Sequence, residues 1–305
     1  MNLLCIRGAF TPSTSIFRLI YSTFVSRDRL AEVDGHVPIS GKNEATVDKT
    51  SHWSRFDDRR PLESGDILVC RSEWAGERVA LPHLAQLLSP EEQVRAKRYR
   101  FEADRNRHVV LWAGLRLIIG SVVNASPRAL EFERSAAGKP VLSSPPLSLS
   151  FNATHAGAFV VFALSWGGPV GVDIEEVRPE VEIEEIVERF FHPHERREFR
   201  TLSEDLKPAA FFRSWTLKES YLKACGVGLP FGLDRVHVTT HPRKHPRLIR
   251  VEGMKGEQDR WSLTDLPMPD GCFGAVTSQG RGRKIQFLDL DLARLVSTTE
   301  QPKDC

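Results

Sequence analysis

Apolar and polar positions change period along this chain, and each change predicts an element. Over 170–175, Val170, Val172 and Ile174 alternate with Gly171, Asp173 and Glu175, the two-residue period of a strand. Asp173 and Glu175 therefore share one face, about 7 Å apart along the strand. Over 208–225 the period lengthens: Trp215, Glu219 and Lys223 are spaced i, i+4, i+8 on one helix surface, and Gly226 stops the helix. Earlier, 65–70 reads as a strand. Ser89, Pro90 and Glu92 form a Ser-x-x-Glu capping box that opens a helix running to about residue 99. A second helix over 104–123 carries Val109, Trp112, Leu115, Ile119 and Val122 on one side. Strands follow at 130–134, 147–151 and 159–165, with a turn at Gly138-Lys139-Pro140 and a loop over 152–157. Ile183, Ile186, Val187 and Phe190 mark an amphipathic helix. Strands at 236–240, 247–251, 261–264, 273–277 and 285–291 complete the pattern.

The segments repeat weakly. Ser148-Leu149-Ser150 returns as Ser262-Leu263-Thr264, Gly157-Ala158-Phe159 as Gly271-Cys272-Phe273, and Val172-Asp173-Ile174 as Leu288-Asp289-Leu290. The fold class is α+β, with two halves of similar strand order meeting near residue 165. The expected division is an extension over 1–60, polar, aperiodic and disordered, an N-terminal half over 61–165, a C-terminal half over 166–297, and a disordered tail over 298–305.

Composition narrows the class. The chain has 305 residues and a net charge of +2, which implies no bulk affinity for nucleic acid or membrane. The charge is uneven: basic residues gather over 95–116 and acidic ones over 175–188. Five cysteines without a Cys-x-x-Cys pair argue against a disulfide framework or zinc site and fit a reducing cytoplasm. The longest apolar run, 109–123, is interrupted by Arg116 and reads as a buried helix rather than a span. The first 30 residues, with Arg7, Arg18, Arg27 and Arg29 and no acid before Asp28, have the composition of a transit peptide; a leader or an early start codon is the plainer reading.

The chemistry lies in the strand at 170–175 and the helix at 215–223. If the helix crosses the polar face of the strand, Glu219 joins Asp173 and Glu175. Three carboxylates with a lysine one turn away suit a Mg²⁺ ion holding a phosphorylated substrate. Each part alone has a plainer reading: a solvated strand face, and an i, i+4 ion pair between Glu219 and Lys223. Together, Gly-Val-Asp-Ile-Glu (171–175) and Trp-Thr-Leu-Lys-Glu-Ser-Tyr-Leu-Lys (215–223) resemble the two signature blocks of the 4'-phosphopantetheinyl transferases, in particular the large single-chain, surfactin-synthetase-activator type. The acid-x-acid pair Asp289/Asp291 lacks such a helix and reads as structural.

That resemblance implies a pseudo-twofold fold and transfer of 4'-phosphopantetheine from coenzyme A to a serine of an apo acyl or peptidyl carrier protein. It implies Mg²⁺, with Mn²⁺ as a substitute, held by Asp173, Glu175 and Glu219. Glu219, directly or through a water, takes the serine proton; Lys223, with Lys218, stabilises the leaving phosphate. By the same resemblance Arg95 and Arg107 hold the 3'-phosphate, Lys139 and Pro140 contact the adenine, and Thr154 and His155 contact coenzyme A phosphates. The best-known subgroup has a lysine where this chain has Glu92, which the capping box occupies instead. Carriers present an acidic helix, for which Arg189, Arg196, Arg197, Arg200 and Arg213 are the expected contacts. A monomer should hold a complete site. The alternatives are another Mg²⁺-dependent phosphodiesterase and a non-catalytic coenzyme A-binding relic.

Overall fold

The structure, a computed structural model, describes residues 52–73, 80–135, 138–228 and 231–300. In chain order the elements are β1 (Ser54–Arg55), β2 (Ile67–Glu73), α1 (Leu81–Gln86), α2 (Pro90–Lys97), α3 (Glu102–Val123), β3 (Glu131–Arg134), β4 (Pro140–Ser144), β5 (Leu149–Ala156), β6 (Phe159–Trp166) and β7 (Val170–Glu176). They continue with α4 (Ile183–Phe190), α5 (Pro193–Arg200), α6 (Lys207–Cys225), β8 (Val236–Val238), β9 (Leu248–Val251), α7 (Glu257–Arg260), β10 (Trp261–Asp265), β11 (Cys272–Gln279), β12 (Ile285–Asp289) and α8 (Leu292–Glu300).

Strand alternation builds the layers. In β2, Leu68 and Cys70 enter one core with α3, while Ile67 and Val69 enter another. In β6, Val160, Phe162 and Leu164 join α3, and Val161 and Ala163 point away from it. Val170, Val172 and Ile174 of β7 meet that second face. The result is helix, sheet, sheet, helix: α3 covers one sheet, α6 covers the other, and the two sheets face each other across an aliphatic core. Each fully buried aliphatic side chain contributes about 1.5–3 kcal/mol, so these strands tolerate apolar residues on both faces. The fold is α+β.

Among the described residues, one sheet runs β1-β12-β2-β6-β5 and another β10-β11-β7. Within them β2-β6-β5 and β7-β11-β10 share one plan: a strand, a long helix, then a hairpin whose last strand lies in the middle. The 148/262 and 157/271 echoes fall on these two hairpins. The expected division needs three corrections. Residues 54–60 are part of the fold: β1 pairs with β12, and Phe56 is buried. β12, expected in the C-terminal half, lies between β1 and β2 in the N-terminal sheet, parallel to both. Residues 298–300, expected in the tail, continue α8, whose Leu292 and Val296 are buried in the core under α3. The calls on 1–51 and 301–305 lie outside the described residues.

The capping box forms as expected, with Glu92 N–H donating to Ser89 Oγ at 3.3 Å and Ser89 N–H to Glu92 Oε2 at 2.9 Å. Glu92 has a second task. Arg116 of α3 donates to both its oxygens, at 2.9 and 3.0 Å, and to the carbonyls of Pro127 and Leu130, each at 2.9 Å. α3 ends on Asn124 at φ 53° and α6 on Gly226 at φ 70°, both left-handed C-caps. Among the described residues no helix is long and apolar enough to cross a membrane. Asp289 pairs with Arg71 at 2.6 Å, and Asp291 accepts from Arg294 N–H at 2.8 Å in the first turn of α8.

Candidate active site

β7 is buried on both faces, and its polar face is covered by helix rather than water. At Gly171 the two backbones meet: a Cβ there would lie 2.2 Å from Ser220 O and 2.4 Å from Ala224 N. The missing side chain lets α6 rest on the strand. Asp173 and Glu175 are thereby brought to Glu219, and oxygens of the three carboxylates lie within 4.8 Å of one another. All three residues are 0% exposed.

Burial and mutual repulsion load this cluster. Burial, then the charge of Asp173, push the Glu219 carboxyl well above its ordinary range. Burial raises Asp173 too, against the pull of Lys223. Burial opposes the Lys223 ammonium, but Asp173 and Glu219 outweigh it and its pKa is raised. Lys223 Nζ donates to Asp173 Oδ1 at 2.5 Å and lies 3.8 Å from Glu219 Oε2. Thr154 Oγ1, from β5, donates to the same Asp173 oxygen at 3.3 Å and accepts from Lys223 at 3.3 Å. Arg178 is 3.8 Å from Glu175 Oε2.

The cluster is still short of positive charge. Asp173 Oδ2 and both oxygens of Glu219 are buried and accept no hydrogen bond of sound geometry among the described residues, although the nearby Trp215 indole favours the ionised form of Glu219. Buried carboxylate oxygens left this way are costly. Several other buried polar groups on α6 do have partners: Arg213 on Asp265 at 2.8 Å, Ser220 with Thr277 at 2.7 Å, Tyr221 on Glu257 at 2.9 Å. An all-oxygen cluster of three acids fits a hard divalent cation.

Not every expected site residue reaches this cluster. Lys218 is the clear correction. It is 0% exposed and turned away from Glu219, with its Nζ 2.5 Å from Glu195 Oε2, 3.0 Å from Leu233 O and 2.6 Å from Val236 O. Glu195 also accepts from the backbone N–H groups of His192 and Val238, at 2.9 and 2.8 Å. Lys218 thus anchors α6 to α5 and β8, and it contacts no part of the carboxylate cluster. Arg213 is buried on Asp265, so it cannot touch a carrier.

Thr154 and His155 lie within β5, not in a loop, and alternation sends them to opposite faces. Thr154 is buried against Asp173 and Lys223. Pro140 opens β4, half-buried. Lys139 donates to Val170 O at 3.1 Å and Lys223 O at 3.0 Å. Burial lowers its pKa to about 8. Arg95 and Arg107 sit on the helical layer of the N-terminal half, Arg95 half-buried on α2 and Arg107 paired with Asp104 at 2.9 Å on α3.

Three contributors escaped the sequence reading: Gly171, Asn152 and Glu195. Asn152 Oδ1 accepts from Val172 N–H at 2.9 Å and so stitches β5 to β7. For Gly171 a signal existed, since a lone glycine in a β-branched strand marks a close backbone approach. Glu195 gave only a helix-start signal, as the fourth residue of His192-Pro193-His194-Glu195.

Residues 169–268 match a family model described as the 4'-phosphopantetheinyl transferase superfamily, and residues 72–166 match one described as 4'-phosphopantetheinyl transferase, N-terminal. The chain is 32% identical over 209 residues to the 4'-phosphopantetheinyl transferase HetI of Nostoc sp., covering 68% of this chain and 85% of HetI. It is 28% identical over 237 residues to the human L-aminoadipate-semialdehyde dehydrogenase-phosphopantetheinyl transferase, covering 72% of this chain and 73% of that one. With the 4'-phosphopantetheinyl transferase Sfp of Bacillus subtilis it shares 29% identity over 154 residues, 50% of this chain and 67% of Sfp.

Proposed function

The chain belongs to the 4'-phosphopantetheinyl transferase superfamily, in its large single-chain form, and from that premise we infer how its own residues carry the reaction. The enzyme transfers 4'-phosphopantetheine from coenzyme A to a serine of an apo carrier protein, releasing adenosine 3',5'-bisphosphate. The observation that carries the assignment of the site is the buried cluster of Asp173, Glu175 and Glu219, with three oxygens that accept no hydrogen bond of sound geometry among the described residues and Lys223 at its edge.

In this reading Asp173, Glu175 and Glu219 hold a divalent cation, Mg²⁺ or Mn²⁺. Bound there, the ion supplies charge compensation to the coenzyme A pyrophosphate. Glu219, directly or through a water, accepts the serine proton. Lys223, whose side chain is 17% exposed, reaches the rim and donates to the leaving phosphate oxygen. Thr154 holds Lys223 and Asp173 in register. Arg95, Arg107, Pro140 and His155 line the nucleotide side. The carrier's acidic helix meets Arg189, Arg197 and Arg200, all exposed on α4 and α5. The protein works as a cytoplasmic monomer, which the complete cluster within one chain and the free cysteines Cys70, Cys225 and Cys272 support.

Intact-mass spectrometry of an apo acyl carrier protein with coenzyme A and Mg²⁺ tests the reading. We expect one phosphopantetheine gained, a gain abolished by chelator, and a rate at least about a hundredfold lower in Glu219→Gln. Full rate in the chelated sample or in the variant overturns the metal-and-base assignment. Coenzyme A cleavage with an unmodified carrier would identify a hydrolase instead.

A further inference from the structure

We propose that Lys139 is a positioning residue for the carboxylate cluster, acting from the opposite half of the molecule; the proposal rests on the reading that this cluster holds a divalent cation. The cluster has two parents. β7 carries Asp173 and Glu175, and α6 carries Glu219 and Lys223. Its geometry depends on how far apart the strand and the helix stand.

One ammonium spans that gap. Lys139 Nζ donates to Val170 O on β7 at 3.1 Å and to Lys223 O on α6 at 3.0 Å. Val170 is three residues before Asp173, and Lys223 is four residues after Glu219. The Lys223 carbonyl lies in the last turn of α6, where carbonyls have no partner within the helix. The cation therefore meets an acceptor at the negative end of the helix. The backbone of Lys139 is itself fixed, with its N–H on Ser135 Oγ at 3.2 Å and its carbonyl accepting from Ser135 N–H at 2.9 Å.

Side chains tie this edge of β7 to its surroundings. β7 pairs with β11 on one side. On the other, Val172 N–H donates to Asn152 Oδ1, Val172 O accepts from Lys223 at 3.4 Å, and Val170 O accepts from Lys139. Lys139 and Asn152 come from the N-terminal half. The seam is thus held by polar side chains that also set the strand-to-helix distance.

The sign of the effect separates positioning from charge. A cation near three carboxylates repels a metal ion, so loss of its charge alone would tighten metal binding. Loss of a clamp would weaken it. Mn²⁺ binding to the full chain, followed by the loss of the free-ion electron paramagnetic resonance signal, reads this without any turnover. We expect one Mn²⁺ in the unmodified protein, none in Glu219→Gln, and about tenfold weaker binding in Lys139→Met, the range seen when supporting contacts around a metal site are lost. Ile118→Val, which loosens the core under α3 away from the seam, should leave Mn²⁺ affinity unchanged. If Lys139→Met does not fold, Lys139→Gln carries the test with the same expected direction. Unchanged or tighter binding in a folded Lys139 variant overturns the proposal while leaving the metal reading intact. Failure of the unmodified protein to bind Mn²⁺, or full binding by Glu219→Gln, overturns the metal reading and the proposal with it.

Discussion

Two histidines, His108 and His237, whose pKa values burial lowers to about 4, make the stability of this protein depend on pH. His108, in α3, is 1% exposed, and its Nε2 sits 3.2 Å from Glu92 O. Burial, with the Arg95 charge assisting, lowers its pKa to about 4. Its unfolded value is near 6.5, so below that pH the unfolded chain takes a proton that the native state refuses. The stability is fully present above about pH 6.5 and is lost as pH falls toward 4, by about 3 kcal/mol at the limit. Urea unfolding at pH 7 and pH 4.5 should show this loss, and His108→Gln should remove the His108 share while that of His237 remains. An equal pH dependence in the variant would assign the effect elsewhere. At this scale the sequence was legible where chemistry is local. Asp173, Glu175, Glu219 and Lys223 announce themselves by spacing along one strand and one helix. Lys218 does not, because α6 is buried on every side and its apolar pattern has no solvent face to orient it. One step along a helix is about 100° of rotation, enough to send Lys218 to Glu195 while Glu219 meets the acids.

The decisive contact between elements is the one at Gly171. There β7 and α6 approach so closely that a methyl group would collide with the backbone of Ser220 and Ala224, neither of which can swing aside. Gly171→Ala should force strand and helix apart, separating Asp173 and Glu175 from Glu219. We expect at least about a hundredfold loss of transfer activity and a stability loss of about 1–3 kcal/mol. Circular dichroism and a carrier-loading assay on the same sample would check both; activity within a few fold of the unmodified protein would show that the contact is not demanding. The elements themselves were largely readable from period and caps, as for α2, α3 and α6. Their ends were less so. β5 runs through 152–156, which read as loop, because Asn152 satisfies the backbone of β7 and so serves as a strand residue. α8 was missed: the sequence turns polar after Val296 and masks its short apolar stripe, Leu292 and Val296.

At the scale of the whole molecule, the two halves are not separable units. β12 is inserted between β1 and β2, and α8 packs beneath α3. A chain cut after Arg283 would leave Leu68, Cys70 and Leu111 without Leu288, Leu290, Leu292 and Val296, all buried in that core. It should lose cooperative unfolding and Mn²⁺ binding together, although every carboxylate of the cluster remains; a soluble, cooperatively melting product would refute this interdependence. Sequence alternation could place β12 as a strand but not in a sheet, because parallel partners are distant and leave no hairpin signal. The same feature sets an order of events in the cell. β2, β5 and β6 leave the ribosome long before β12 exists, so the growing chain carries an open slot with two unpaired edges. Such edges invite pairing with other chains. The last strand among the described residues is the one that closes the sheet, and a chain stalled or terminated before it is therefore a candidate for aggregation or chaperone capture rather than a partially active enzyme.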